Sequence, residues 1–405
     1  MKQRIFISNA IDEEKLPFIA AEEFKFGRAH YSWKIIANLY RQGLETAGLE
    51  TIKIVRPEIY QTKIAQSILG LRPDDVHIAV KPIEHIRPFY GMKNIFICGW
   101  EFSEFSNISY NNNPLFNQVE ILKHADVIWC WSDFTNNNLR SHGIHTAITM
   151  PPPVIISKPI DSQSIFDLNT LALNTTRDPS MSDVKKLGDV LQIYDDSVVF
   201  FSIFNPYDYR KQVQLMLPAF MLALEKNINM ILIIKLVIDN IHTTLGTIQD
   251  ILKKLFKIEG QCDRIIFIGE KLSDHQVIKI METANYYLCT SSTEGLNLPL
   301  IEAMAQGVVP VSSRATAMAD YINETNSVII ESERAVTNGT YHFLHGQLVT
   351  THFPPILLSI VDALIVASSL SKEAYQSLSS QAKIDVDAKY SLSAFVNKLN
   401  AIGGV

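Results

Sequence analysis

Residues 285–307 read NYYLCTSSTEGLNLPLIEAMAQG, and the order of residue types in them decides the architecture. The first six, 285–290, are aromatic, apolar and β-prone, the composition of a short buried strand. Pro299 suits the first turn of a helix, where a missing N–H costs nothing, and Asn297 stands where a cap belongs. Leu300, Ile301, Ala303, Met304 and Ala305 continue as a mostly apolar helix, which Gly307 ends. Strand, Gly-bearing turn and helix N-terminus together form a local anion site, because backbone N–H groups and the positive end of the helix dipole meet there. Glu294 falls at the rim of that spot and Glu302 about one turn inside the helix, with seven residues between them. This layout suits one ligand with a phosphate in its middle and hydroxyls at both ends.

Outward from this stretch, strand-like and helix-like segments alternate. Ahead of it, 197–203, 230–238 and 264–268 read as strands, while 212–225, 245–256 and 274–284 read as helices; 308–312 follows as a further strand. The first third of the chain has strands at 4–8, 51–55, 76–80, 94–98 and 127–131, with helices at 30–47, 57–69, 115–124 and 134–141. The pattern predicts two α/β domains in tandem, each a doubly wound parallel sheet that binds ligands at the carboxyl ends of its strands. The alternation lapses at MPPP, 150–153, after which a stretch rich in Ser, Asp, Asn and Thr reads as a connector. The expected division is 1–155 for the first domain, 156–196 for the connector, 197–385 for the second domain and 386–405 for a last helix packing back on the first. Residues 331–352 break the pattern and read as a loop or hairpin of the second domain.

A chain of 405 residues is too long for one ordinary core. Its 47% hydrophobic and 19% charged residues belong to a packed globular protein. The net charge of −6 argues against nucleic acid as a partner. Cys98, Cys130, Cys262 and Cys289 lie far apart in apolar runs without metal-ligand spacing, which reads as buried reduced thiols. MKQRIFISNA enters a strand directly, and no stretch approaches about 20 uninterrupted apolar residues. The expectation is a soluble cytoplasmic protein, compatible with peripheral association at the inner face of a membrane.

Further charged residues sit at strand ends. Residues 201–212, FSIFNPYDYRKQ, place Arg210 and Lys211 just before a helix, where two cations and backbone donors suit a diphosphate; the alternative is a solvated turn. Lys235 lies within ILIIKLVID, as a ligand-facing ammonium or as a snorkelling or edge-strand lysine. Glu101 follows Trp100 after an apolar strand; it can orient the hydroxyls of either of two bound ligands, or be a strand-end acid beside a core tryptophan. His30, His77 and His85 read as ordinary polar residues. The sole Asp-x-Asp, Asp385–Val386–Asp387, falls in a helical region, where a solvated face is its natural role.

Over residues 198–325 the sequence resembles the retaining family 4 glycosyltransferases of GT-B fold (glycosyl transferases group 1). STEGLNLPLIEAMAQGVVPVSS carries that family's E-x7-E pattern, RKQVQLMLPAF resembles its Arg-Lys segment, and FIGEKLSDHQVIKIMETANYYLCT resembles the lead into the motif. GWEFSEF and DVIWCWSDFTNNNLRSHGI extend a looser likeness into the first half. The resemblance implies two Rossmann-like domains facing a central cleft, with a nucleotide-diphosphate sugar of UDP or GDP type held by the second. It implies that Glu302 takes the ribose hydroxyls and Glu294 the donor sugar. Gly295, Leu296, Asn297 and Leu298 would then meet phosphates or sugar through their backbone, and Arg210 with Lys211 would neutralise the leaving diphosphate. The acceptor implied is the hydroxyl of a glycan or glycolipid, and neither a metal nor a cofactor is expected. Two departures stand out. Many members carry an arginine at the place of Phe204–Asn205, a cation that Arg210 or Lys235 could supply. Many also have a Gly-Gly loop after the first strand, where this chain has a longer acidic stretch with only Gly27.

Overall fold

The structure is a computed structural model and describes residues 2–9, 29–106, 117–154, 164–176, 178, 184–238, 240–258, 260–338 and 349–405. The chain divides into two compact units, one of residues 1–155, 336–351 and 387–405, the other of residues 156–335 and 352–386.

The first unit is built on a six-stranded sheet in the order β2-β1-β3-β4-β5-β6. Its strands are β1 (Arg4–Asn9), β2 (Glu50–Lys53), β3 (Val76–Val80), β4 (Lys93–Cys98), β5 (Val127–Cys130) and β6 (Ala147–Thr149), all paired in parallel. Every residue of β3 is buried, as continuous apolar runs require when helices cover both faces of a parallel sheet. The helices are α1 (Ala29–Thr46), α2 (Lys63–Ile68), α3 (Gln118–Leu122) and α4 (Asp133–Ser141). Ser132 caps α4 by accepting from Thr135 N, and Gly48 leaves α1 at φ 86°, a conformation that glycine alone adopts cheaply. One helix was expected over 57–69; the structure has a 3₁₀ turn at Pro57–Tyr60 and then the short α2. Arg56 in the left-handed region (φ 51°) and Pro57 begin that turn, and its Gln61 cap spends its amide on Pro57 O and Pro88 O.

Within this sheet His77 is a satisfied core histidine. Its Nε2 lies 2.9 Å from Ser8 Oγ and its Nδ1 2.8 Å from Asn94 Oδ1. Burial pushes its pKa down to about 4, against the opposing pull of the Asn94 hydrogen bond. Gly27 and residues 10–28, where the acceptor-side departure was read, lie outside the described residues.

The second unit carries an eight-stranded sheet in the order β14-β13-β12-β9-β10-β11-β7-β8. Its central strands β9 (Val198–Phe204), β10 (Met230–Leu236), β11 (Gln261–Ile268), β12 (Tyr286–Cys289), β13 (Val309–Ser313) and β14 (Val328–Ile330) are parallel. Between them run α6 (Val213–Lys226), α7 (Ile241–Phe256), α8 (Asp274–Thr283) and α9 (Leu298–Ala305). Phe200, Phe220, Ile234, Phe267 and Leu288 belong to one continuous buried core beneath them. The chain adds β10 and β11 on one side of β9, then returns to place β12 on the other. The sheet therefore reverses direction between β9 and β12, which is where a doubly wound sheet opens its binding crevice.

Two parts of the expected division change. The supposed connector is part of this sheet: β7 (Asn169–Asn174) pairs antiparallel with β11, β8 (Val184–Lys186) pairs antiparallel with β7, and α5 (Leu187–Ile193) follows. Its asparagines mimic turn residues, yet Asn174 ends β7 and is bonded across to β11, its Nδ2 donating to Gln261 Oε1 at 3.1 Å. Residues 331–352 are also divided. They contain β15 (Ala335–Asn338) and β16 (Val349–His352), which pair, and 336–351 group with the first unit, where Thr350 Oγ1 lies 3.1 Å from Ser103 Oγ. Residues 339–348 lie outside the described residues.

The chain closes with α10 (Leu357–Ser368), α11 (Lys372–Tyr390) and α12 (Leu392–Ala401). In the first unit α12 packs on α1. The Phe395 ring lies 6.0 Å from that of Tyr40, and Gly43 leaves room for it, since a Cβ there would stand 2.6 Å from the Phe395 ring. Asp385, of the lone Asp-x-Asp, accepts from Asn326 Nδ2 and Gln381 Nε2, both at 2.7 Å.

Candidate donor-sugar site

Two loops flank the reversal point of the second sheet, one leaving β9 and one leaving β12. The β9 loop begins with Asn205, whose Oδ1 accepts from Tyr207 N at 3.0 Å, the hydrogen bond of an Asx turn. A single 3₁₀ turn, Tyr209–Lys211, follows; Asp208 caps it by accepting from Arg210 N. The β12 loop, 290–297, is buried throughout. One backbone and one side-chain hydrogen bond join the loops: Ser292 N donates to Arg210 O at 2.7 Å and the Thr290 hydroxyl Oγ1 to Lys211 O at 2.8 Å.

This stitching brings Lys211 and Glu294 together across 83 positions of sequence, with Lys211 Nζ donating to Glu294 Oε1. Desolvation alone would lower the lysine's pKa, but the charge and hydrogen bond of Glu294 carry it above its ordinary value. Glu294 is 4% exposed and further fixed through its backbone, its N donating to Thr316 Oγ1 at 2.9 Å and its O accepting from Ala317 N at 3.2 Å. Arg210 forks onto Asp208, with Nε 2.9 Å from Oδ1 and the second bond at 2.6 Å. Burial pushes Asp208 upward, yet the Arg210 and Lys211 charges hold it below the usual carboxylate range. The two cations read from sequence are therefore pre-oriented by carboxylates rather than held open to solvent.

The backbone here is strained. Five described non-glycine residues have positive φ, and three of them, Gln212 (53°), Asn297 (64°) and Thr316 (51°), belong to this site. Each costs about 1–2 kcal/mol relative to an ordinary conformation and persists only where its surroundings impose it. Asn297 precedes α9 as expected but does not cap it: its left-handed backbone turns the side chain away, and Nδ2 donates to Cys289 Sγ at 3.2 Å. Pro299 sits in the first turn of α9, and Gly307 leaves its far end at φ 83°. Gly295 and Leu296 are buried and Leu298 half-buried; Tyr321 OH fixes the turn by donating to Leu296 O at 2.7 Å.

Glu302 is half-buried on α9. Burial, with the Asp274 charge as a smaller cause, pushes its carboxyl up to about 8. Lys235 is the penultimate residue of β10, on the other side of β9. It is 1% exposed, so it does not snorkel; Nζ donates to Leu236 O at 2.5 Å, and burial, opposed by Glu270, pulls its pKa down to about 8. Glu101 belongs to the first unit, half-buried after β4, beside a Trp100 whose ring stacks on Phe105 at 5.7 Å. Among the described residues no group of three or more His, Cys, Asp or Glu could hold a metal ion, and all four cysteines are free.

Sequence reading missed two contributors. Asp208 was legible as an acid two positions before an arginine at a turn. Thr316 carries no sequence signal, because its role comes from a 3₁₀ turn, Thr316–Asp320, brought to Glu294 only by folding.

Residues 185–338 match the family described as glycosyl transferases group 1. No curated protein matches by sequence. Among solved structures, Anabaena HepE in complex with UDP and glucose is 11% identical, with a TM-score of 0.60 over 100% of both chains. The sucrose-phosphate synthase of Thermosynechococcus elongatus is 13% identical, with a TM-score of 0.58 over 99% of this chain and 98% of that one. A Staphylococcus aureus TarM mutant in complex with UDP, alpha-GlcNAc-glycerol and Fondaparinux is 13% identical, with a TM-score of 0.53 over 82% of this chain. The match spans only 55% of that TarM chain. Likeness at these identities shows the fold, the GT-B class of two Rossmann-like domains.

Proposed function

We propose that this chain is a retaining glycosyltransferase. It would move a sugar from a nucleotide-diphosphate donor to the hydroxyl of a glycan or glycolipid acceptor, in polysaccharide or other glycan assembly on the cytoplasmic side. The observation that carries the reading is the pairing of Lys211 with Glu294 at the sheet's reversal point, beside the N-terminus of α9. The match of residues 185–338 to glycosyl transferases group 1, and a fold shared with proteins solved with UDP, support it.

In this reading the donor diphosphate draws the Lys211 ammonium from Glu294, and the released carboxylate accepts hydrogen bonds from the donor sugar. Glu302 binds the ribose diol. The bond between the anomeric carbon and phosphate breaks as the acceptor oxygen bonds to that carbon on the same face. The acceptor proton passes to the leaving phosphate oxygen, so no separate enzyme base is needed. Lys211 and Arg210 stabilise the diphosphate as it gains charge, in place of a metal ion.

A binding subunit without turnover is the second reading, favoured by Asn205, which spends its carboxamide on the loop where many members place an arginine. A thermal-shift panel of nucleoside diphosphates and their sugars tests donor binding. A ligand at 100 times its Kd should add about 2.7 kcal/mol, and a panel without any shift would refute both readings. Donor turnover with acceptor then separates them.

A further inference from the structure

The loop after β12 is gripped by a third segment of the second unit. β13 gives way to the 3₁₀ turn Thr316–Asp320, and residues 316–321 reach three residues of that loop. Thr316 Oγ1 accepts from Glu294 N at 2.9 Å, and Ala317 N donates to Glu294 O at 3.2 Å. Tyr321 OH donates to Leu296 O at 2.7 Å, and Met318 Sδ accepts from Asn297 Nδ2 at 3.8 Å. Asn326 Nδ2 in turn donates to Tyr321 O at 2.8 Å. Thr316, Ala317, Met318 and Tyr321 are all buried.

Thr316 does this from a conformation that threonine resists. Its φ of 51° is left-handed, and a β-branched side chain crowds the backbone there more than an unbranched one. A turn serving only the fold has no need of threonine at this φ, which glycine adopts without steric cost. The hydroxyl supplies the reason. With Thr316 left-handed, its Oγ1 and the next amide both meet the backbone of Glu294, one accepting and the other donating. Holding both backbone groups of Glu294 sets the direction of its Cα–Cβ bond, and the carboxylate falls against Lys211. Strain kept where it orients a site carboxylate has the form of a functional constraint.

We propose that Thr316 is a positioning residue, assisted by Tyr321. It acts through Glu294, fixing the loop so that the carboxylate released by Lys211 meets the donor sugar in reacting geometry. This rests on the donor-site reading and adds to it residues outside the two loops. The test is turnover of a panel of nucleoside-diphosphate sugars by the full chain, with water as acceptor, alongside thermal melts and calorimetric Kd values for the nucleoside diphosphates. Thr316→Ser keeps the hydroxyl and should stay within about twofold of the parental kcat. Thr316→Ala and Thr316→Gly should lose about tenfold or more in kcat, with donor KM and nucleoside diphosphate Kd within about twofold of the parent. Thr316→Gly should still melt above Thr316→Ala, because only the alanine keeps the strain. A residue serving the fold alone would leave kcat per folded molecule unchanged. Should the Thr316 variants not fold, Tyr321→Phe decides: kcat is expected to fall at least about threefold with KM unchanged, and parental kcat there would overturn the proposal. Parental kcat in Thr316→Ala and Thr316→Gly, an equal loss in Thr316→Ser, or a parallel loss of nucleotide affinity would overturn it while leaving the donor site standing. A parent that turns over none of the donors would overturn the transferase reading and this proposal together.

Discussion

Glu294 and Glu302 are eight positions apart but live in different environments. Glu294 is neutralised by a lysine, whereas burial holds the Glu302 carboxyl at a pKa of about 8. Their roles should separate accordingly. In the proposed reading Glu302 binds the ribose, a contact made equally in ground and transition states, so Glu302→Ala should raise KM more than it lowers kcat. In the same reading Glu294 contacts the sugar that gains charge as the bond to phosphate breaks, so Glu294→Ala should chiefly lower kcat, by roughly 30- to 1000-fold. Steady-state kinetics distinguishes the two, and equal loss of nucleotide affinity in both variants would contradict the assignment. The Glu302 environment also carries a pH signature. Its folded pKa lies above the ordinary 4.5, so the stability it contributes is complete below pH 4.5 and is lost as pH rises towards 8. Denaturant melts of Glu302→Gln should therefore gain on the parent between about pH 5 and 8; a constant difference would show that the carboxyl is already ionised at neutral pH.

At the scale of elements, the strand–turn–helix unit β12–α9 was legible because each part has a local cause: apolar β-formers, a proline in the first helical turn and a glycine at its end. The conformation of Asn297 was not legible. A residue before Pro-led α9 reads as a side-chain cap, and only the packed structure shows its amide directed to Cys289 while its backbone is left-handed. Asn297→Ala should thus lower stability by about 1–2 kcal/mol, and Asn297→Gly by less, since glycine adopts that conformation without steric cost. Urea midpoints decide it; an alanine variant as stable as the glycine variant would mean that the backbone there is not strained. The strands β7 and β8 escaped the sequence for a related reason. β7 keeps only a short apolar centre around Leu171 and Leu173 between polar ends, and β8, at the sheet edge, is three residues with two lysines, so neither shows the continuous Val and Ile run of a buried parallel strand.

For the whole molecule, alternation of strand and helix announced two Rossmann-like domains, and both sheets are present with their reversal points. Which unit receives 336–351 was beyond local pattern, because that grouping rests on contacts such as Ser103 with Thr350, 247 positions apart. Charge balance at the candidate donor site leads to a further expectation. If Arg210, Lys211 and backbone donors neutralise the diphosphate, turnover should survive EDTA; activity lost to the chelator and restored by magnesium or manganese would reveal a metal role. The most direct test of the central claim, that the loops after β9 and β12 hold a nucleoside diphosphate, is calorimetric titration of the parent and Lys211→Gln with each common nucleoside diphosphate. The account predicts that one of them binds the parent with a Kd below about 1 mM and binds Lys211→Gln at least about tenfold more weakly, the loss of one charge-assisted contact. No binding by any of them, or equal binding to both proteins, would contradict it.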